Sequence, residues 1–502
     1  MQTSRKGRIL SLLGIVTFFL ALLPLFTRLV LPALSTLLIS VQNYQPSRGI
    51  AGSPFVGLRI YEDLFQSPSF AVSVQQSAQF AALSALTVLA VGAPAGYVLR
   101  ALSKARWLRH GLCTLLLLPL LVPGELWAQA FLAVLPSQAM ESLAVLAFWS
   151  GIKYVGLAAW LTTAALGRGN RSATAPVMSA GAVALGILAL LGLPDYAFLQ
   201  MSPLTAMEGS LDLVTFRRGF GAVSQDYGAA QSIVALALRA ALLAAVALPV
   251  ATLVKRLFPH QGAQEAPTTG KERLYSLLAV AAVTLIVAIA LAVPAAGAPY
   301  ASFLPNLAIY PLYVLTAVAA AALNTALCFF LARPVVTARH PAVRWVTAIL
   351  LLVLTALGAT PVLVGGYMQM RLSGVFNTFY AVLASGIGSL MGVWPLVFAA
   401  RAMGVGSNRQ WFRRMWQPAL VLLALTAALR MNDALPSILY LLERDRLHPL
   451  LVVSSLQGGT APLAAISALI ALVTMVVPVV LLLAVRTAFA EQETPELGLL
   501  PK

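Results

Sequence analysis

Residues 227–273 read YGAAQSIVALALRAALLAAVALPVATLVKRLFPHQGAQEAPTTGKER. As far as Leu257 the stretch stays apolar for longer than the roughly 20 residues a spanning helix needs. Residues 258–273 are then polar and rich in turn formers, and with the flanking Lys255 and Arg256 they read as a linker. Six apolar runs precede it, near 9–38, 75–101, 107–135, 142–166, 176–200 and 227–257. Six follow it, near 274–296, 308–332, 343–370, 375–400, 417–440 and 459–487. Gly192 and Pro194 interrupt the fifth run before its end. The pattern predicts an all-α, polytopic membrane protein of about twelve transmembrane helices. Its first six-helix half covers 1–257, a cytoplasmic linker 258–273, and its second six-helix half 274–502.

Composition points the same way. Of the 502 residues, 60% are apolar and 10% charged, where a soluble chain carries roughly a quarter charged residues. A surface so poor in charge faces lipid. The net charge of +17 does not imply a nucleic-acid partner, because the cations fall in small clusters between apolar runs rather than in one patch.

Alternate connections collect Arg5, Lys6 and Arg8; Arg100, Lys104, Arg106 and Arg109; Arg168 and Arg171; Lys255, Arg256, Lys271 and Arg273; Arg333, Arg339 and Arg344; and Arg401, Arg409, Arg413 and Arg414. The connections between them take most of the acids, among them Glu62, Asp63, Asp212 and Asp226. The positive-inside bias makes the first set cytoplasmic. The expected location is a bacterial inner membrane, with both termini cytoplasmic. The basic N-terminus superficially resembles a signal peptide, but its apolar run continues to about Ser40 without a small-residue cleavage site, so a retained first helix is expected. Cys113 and Cys328 lie inside apolar runs and read as small buried hydrophobes. Two halves with the same in/out start imply a parallel repeat, with a substrate path at the interface.

Residues 55–70, FVGLRIYEDLFQSPSF, resemble the external signature of permease subunits in type I, binding-protein-dependent ABC importers, with Ile60 and Ser67 departing from its Asn and Asp. LLLLPLLVP at 115–123 is similar to the third helix of these permeases, and DYGAAQS at 226–232 to the start of the first subunit's last helix. TPVLVGGYMQMRLSGVFNT at 360–378 and MNDALP at 431–436, with Met431 replacing a Trp, resemble segments of the partner subunit. The resemblance covers nearly the whole chain and implies two MetI-like permease subunits fused into one. It further implies alternating access driven by a separate cytoplasmic ABC ATPase dimer. An extracytoplasmic solute-binding protein would dock on the outer loops 41–73, 196–225 and 441–457. No cofactor is expected on this chain, since the partner uses the ATP.

Such permeases engage the ATPase through a short cytoplasmic helix with an EAA-x-x-x-G motif. The expected positions here are 167–176, GRGNRSATAP, and 401–418, RAMGVGSNRQWFRRMWQP, and neither contains an acid. The first is too short for the whole motif. Docking then falls to a reduced basic interface, with Gly167, Arg168 and Arg171 in one loop and Arg401, Gly404, Gly406 and Arg409 in the other, or is absent. A phosphate-cradling loop needs G-x-x-x-x-G-K-(S/T), whereas Gly270-Lys271 is followed by Glu272 and has Glu265 in place of the first Gly. No enzymatic activity is expected of the chain itself.

Polar groups inside the spans are candidates for the substrate path: Glu125, Asn324, Asn377, Asn432 and Asp433. Glu125 has Lys153 as an alternative partner, and Asn324 and Asn377 are equally suited to hydrogen bonding between helices. Arg239 and Arg430 are expected to neutralise neighbouring acids. Trp127, Trp149, Trp160, Trp345 and Trp394 read as interfacial anchors or packing. His110, His260, His340 and His448 are isolated, without metal-ligand spacing, and no catalytic constellation stands out.

Two other classes compete. An ion-coupled secondary transporter would typically carry a G-x-x-x-D-R/K loop after its second helix, and RALSKARWLRHG (100–111) has neither that Gly nor the Asp. A permease-derived scaffold would have lost ATP coupling along with the loop motifs. The external signature is similar to that of sugar permeases, and one-chain fusions are similar to iron(III) and thiamine systems. Few acids line the presumed path, which argues against a bare cation as cargo.

Overall fold

The computed structural model describes residues 21–100, 142–167, 172–192, 209–221, 224–257, 304–360 and 364–442 except 432 and 434, with the single residues 16, 18, 116, 117, 119 and 120. The linker, the seventh and twelfth runs and nearly all of the third lie outside the described residues.

The described chain is helical and holds no strand; one isolated bridge joins Gln42 and Phe55. The first half contributes α1 (Ala21–Ser40), the short α2 (Arg59–Gln66), α3 (Pro68–Leu99), α4 (Leu143–Gly167), α5 (Ala175–Ala189), α6 (Leu211–Phe216) and α7 (Gln225–Leu257). The second contributes α8 (Leu304–Thr337), α9 (Pro341–Gly358), α10 (Val364–Leu372), α11 (Phe379–Ser385), α12 (Val393–Ala402), α13 (Asn408–Arg414), α14 (Trp416–Met431) and α15 (Leu435–Tyr440). Among the described residues seven stretches are long and apolar enough to cross a membrane, namely α1, α3, α4, α7, α8, α9 and the interrupted Phe379–Arg401. The chain is a polytopic helical membrane protein.

Several apolar runs are less continuous than hydropathy implies. In the run 176–200 the helix α5 ends at Ala189, and Leu191 and Gly192 take positive φ of 55° and 56°. The run 343–370 divides into α9 and α10, because the residue before Pro361 is pushed out of the helical region and the proline supplies no N–H. The run 375–400 opens between α11 and α12, where Gly386, Gly388 and Gly392 cluster. The run 417–440 divides into α14 and α15 around the turn formers Asn432 and Asp433.

The sequence halves interleave. Ala21, Leu25 and Leu29 of α1 are buried with Leu331 and Val335 of α8, Leu351 and Leu354 of α9, and Val393, Leu396 and Val397 of α12. The N-terminal helix thus joins a core whose other buried residues come from the second half, with Leu236 of α7 packed against it, and also packs against α7 and α10. Within the first half, α3, α4 and α5 meet through Ala85, Ala158, Ala180 and Ala184. Small side chains let these helices approach closely, the usual means of association where no hydrophobic effect acts between helices.

Candidate functional site at the broken helices

The α11–α12 break is held from outside. The Asn324 side chain on α8 donates to the Ser389 carbonyl at 2.8 Å and accepts from the Gly388 N–H at 3.0 Å. Gly388 has φ +123°, a conformation open to glycine and few others. The Cys328 thiol, buried as expected, approaches the same Ser389 carbonyl at 3.7 Å. Asn324 therefore spends its amide on two backbone groups freed by the break. Replacing it with Ala strands both in an apolar setting, and Asn324→Ala is expected to cost about 2 kcal/mol, read as a lowered unfolding midpoint of the detergent-solubilised chain.

Beside the break lies a small cleft with room for about one water, open to its surroundings. Tyr313, Thr316 and Ala320 of α8 form one wall and Val382 and Gly386 of α11 another, with Arg430, Asp433 and Pro436 closing it. Arg430 donates to the Asp433 carboxylate at 2.9 Å, so this acid carries its own counter-charge. Tyr313 and Ser437 share a hydrogen bond at 3.0 Å at the buried edge. Asn377, at φ +62°, accepts from the Leu442 N–H at 3.0 Å and donates its own N–H to the Tyr440 carbonyl at 2.8 Å, tying the turn before α11 to the end of α15. Asn324 and Asp433 thus flank one region, where Asn324 holds the break and Asp433 lines the cleft. Glu125 and Asn432 lie outside the described residues.

Residues 41–70 form an ordered post on the connection between α1 and α3. The Val56 N–H donates to the Val41 carbonyl and the Asn43 N–H to that of Pro54, both at 2.9 Å. The post's helix, α2, buries Ile60 and Leu64 against Phe70, Leu191 and Leu211 while Glu62 and Asp63 face outward. Tyr61 shares a 2.6 Å hydrogen bond with Ser40. Burial pushes its phenol above the ordinary value, and that bond opposes the rise.

At the other end of the second half, α12 closes with Gly404 at φ +63° and the Val405 N–H on the Ala400 carbonyl at 2.9 Å. This is the left-handed stop that glycine favours after a helix. Ser407 then caps α13 by accepting from the Gln410 N–H at 3.3 Å, while the Gln410 side chain accepts from the Gly406 N–H at 2.9 Å. Trp411 and Met415 are buried beneath α13, and Arg401, Arg409, Arg413 and Arg414 are exposed. The second loop is therefore a capped, amphipathic, wholly basic helix. In the first, Gly167 is the last residue of α4, and Arg168 and Arg171 lie outside the described residues.

Two polar features complete the picture. Arg239 of α7 is fully buried and pairs with Asp212 of α6, with its Nε donating to the Leu190 carbonyl at 3.2 Å. Arg28 of α1, which charge counting passes over because the surrounding run is so apolar, donates to the Tyr380 hydroxyl at 3.2 Å and to the Met370 sulfur at 3.3 Å. Its signal was available, since it is an arginine inside a spanning run just as Arg239 and Arg430 are. Trp394 donates to the Thr355 hydroxyl at 3.1 Å, a packing role, whereas Trp345 is exposed. Among the described residues no group of three or more His, Cys, Asp or Glu converges as a metal site. No family model, curated protein or solved structure matches the chain.

Proposed function

We propose that the chain is the permease of a binding-protein-dependent ABC importer in a bacterial inner membrane, with two six-helix halves fused in one polypeptide. The observation that carries this reading is the interleaving of the halves, with α1 buried in the second-half core through Ala21, Leu25 and Leu29. Halves joined in this way can rock as bodies about a shared interface without separating. The capped basic helix α13 supports a docking surface for a cytoplasmic ATPase, because its exposed Arg409, Arg413 and Arg414 suit an acidic cleft. The ordered post at 41–70 would receive the solute-binding protein. ATP is bound and hydrolysed by the partner, and this chain moves a small solute by alternating access.

The test is solute uptake with the ATPase that co-purifies with the chain. Replacing that ATPase's phosphate-loop lysine should abolish uptake, and persistence of uptake would overturn the coupling. A tag within 258–268 should be reachable only from the cytoplasm. A second reading, an ion-coupled transporter, draws support from the interrupted Phe379–Arg401 helix beside the Arg430–Asp433 pair, since broken helices often build transport sites. Uptake that collapses with an uncoupler while ATP is held constant would favour it.

A further inference from the structure

The geometry points to an oxyanion-binding site formed by the Arg28 guanidinium and the Tyr380 hydroxyl, between α1 and α11, and this rests on the permease reading above. Arg28 lies on the packed side of α1 with Leu25, Pro32 and Thr36, whereas Leu23, Phe26, Leu34 and Leu37 form the exposed stripe. A charge within a spanning helix is costly and normally meets an opposite charge. Arg239 meets Asp212 and Arg430 meets Asp433. Among the described residues Arg28 meets no carboxylate; it contacts a thioether, a phenol oxygen and the face of the Tyr380 ring, 5.6 Å from its centroid, and the Tyr440 phenol lies close enough to feel its charge.

A guanidinium offers five N–H donors in a planar fork matched to carboxylate and phosphate. Two of Arg28's are engaged, one weakly by sulfur. The Tyr380 hydroxyl accepts from Arg28 and retains its own proton to donate. Tyr380 is 53% exposed and Arg28 only partly buried, so neither polar group is sealed inside the helix packing. The two groups therefore set unused N–H and O–H donors side by side on a net positive charge, with no carboxylate on Arg28 among the described residues.

The backbone marks the same place. Pro32 cannot donate to the Arg28 carbonyl, and Phe26–Val30 widen into a π-helical turn, with the Leu31 N–H reaching back to the Phe26 carbonyl. Such turns recur at functional positions. Arg28 comes from the first half of the sequence, and Met370 and Tyr380 from the second, so the pair sits where α1 packs into the second-half helices. The cargo class that follows is a small solute bearing a carboxylate or phosphate, rather than a sugar or a cation.

The experiment titrates the purified full chain in detergent with inorganic phosphate, sulfate, citrate and glutamate, with glucose and matched sodium chloride as controls, reading tyrosine and tryptophan fluorescence and the thermal midpoint. At least one oxyanion should bind, with Kd weakened about tenfold or more in Arg28→Gln, the loss of roughly one charged hydrogen bond. Arg28→Lys should retain part of the affinity, and Tyr380→Phe should weaken it while leaving the unliganded midpoint unchanged. Phosphate acting alone would identify a phosphate site, and citrate or glutamate acting alone a carboxylate site. No oxyanion response, or an equal response in a folded Arg28→Gln, overturns the inference. Arg28-dependent binding of an anion that is never taken up by vesicles holding the chain and its ATPase would keep the site and discard the importer reading.

Discussion

Asp212→Ala should lower the unfolding free energy of the chain by about 3–5 kcal/mol, the cost of removing one partner from a buried ion pair. The Arg239 side chain has no exposed surface, and Asp212 is buried beside it. With the carboxylate gone, Arg239 keeps only the Leu190 carbonyl as an acceptor among the described residues, and its Nη1 already lacks one. The pair joins α6 and α7 and anchors the turn after α5, so its loss should loosen three elements together.

The double variant Asp212→Leu/Arg239→Met separates charge loss from shape loss. Replacing both charges with apolar groups of similar volume is often neutral or stabilising, so the double variant should recover most of the stability that either single change removes. Denaturant titration of the solubilised protein, followed by helical signal, is the measurement. A double variant as unstable as the worse single variant would show that the site needs its polar groups for more than mutual neutralisation.

How much of this was legible in the sequence depends on which forces act locally. Lipid demands long apolar helices with internally satisfied backbones, so α1, α3, α4, α7, α8 and α9 can be read from composition alone. The breaks were partly legible. Pro361 and the trio Gly386, Gly388 and Gly392 are visible turn formers, but the apolar residues around them keep hydropathy high and hide the interruption. That Asn324 serves the break rather than facing a solute depends on the pairing of α8 with residues 388–389, which no local pattern encodes. The same holds for α1. Its apolarity says that it spans, while its burial against α8, α9 and α12 is a matter of tertiary packing. Arg28 was visible as a letter, but that no described carboxylate pairs with it emerges only once the helices are assembled.

Gly365→Ala should destabilise the chain by about 2–3 kcal/mol, the upper range for forcing a methyl group into a filled contact, whereas Gly366→Ala should be neutral or slightly stabilising. The two glycines are adjacent in α10 and differ in what a side chain would meet. A Cβ on Gly365 would run into the Pro32 carbonyl oxygen, with the Thr36 nitrogen at 2.6 Å and the Ser35 Cβ at 2.8 Å, all on α1. Most of these are backbone atoms, which cannot rotate away. A Cβ on Gly366 would find only the Pro32 Cβ, at an ordinary 3.7 Å, and removing a helical glycine gains roughly 0.5–1 kcal/mol. The close approach also carries a polar relay. The Gly365 N–H donates to the Thr36 hydroxyl at 2.9 Å, which in turn donates to the Pro32 carbonyl at 2.7 Å. Pushing the helices apart breaks that relay and carries Arg28, on the same packed side of α1, away from Met370 and Tyr380. Gly365→Ala should therefore lower both the thermal midpoint and the affinity for oxyanions, while Gly366→Ala leaves both in place. Equal behaviour of the two variants would mean that α1 and α10 do not meet at Gly365.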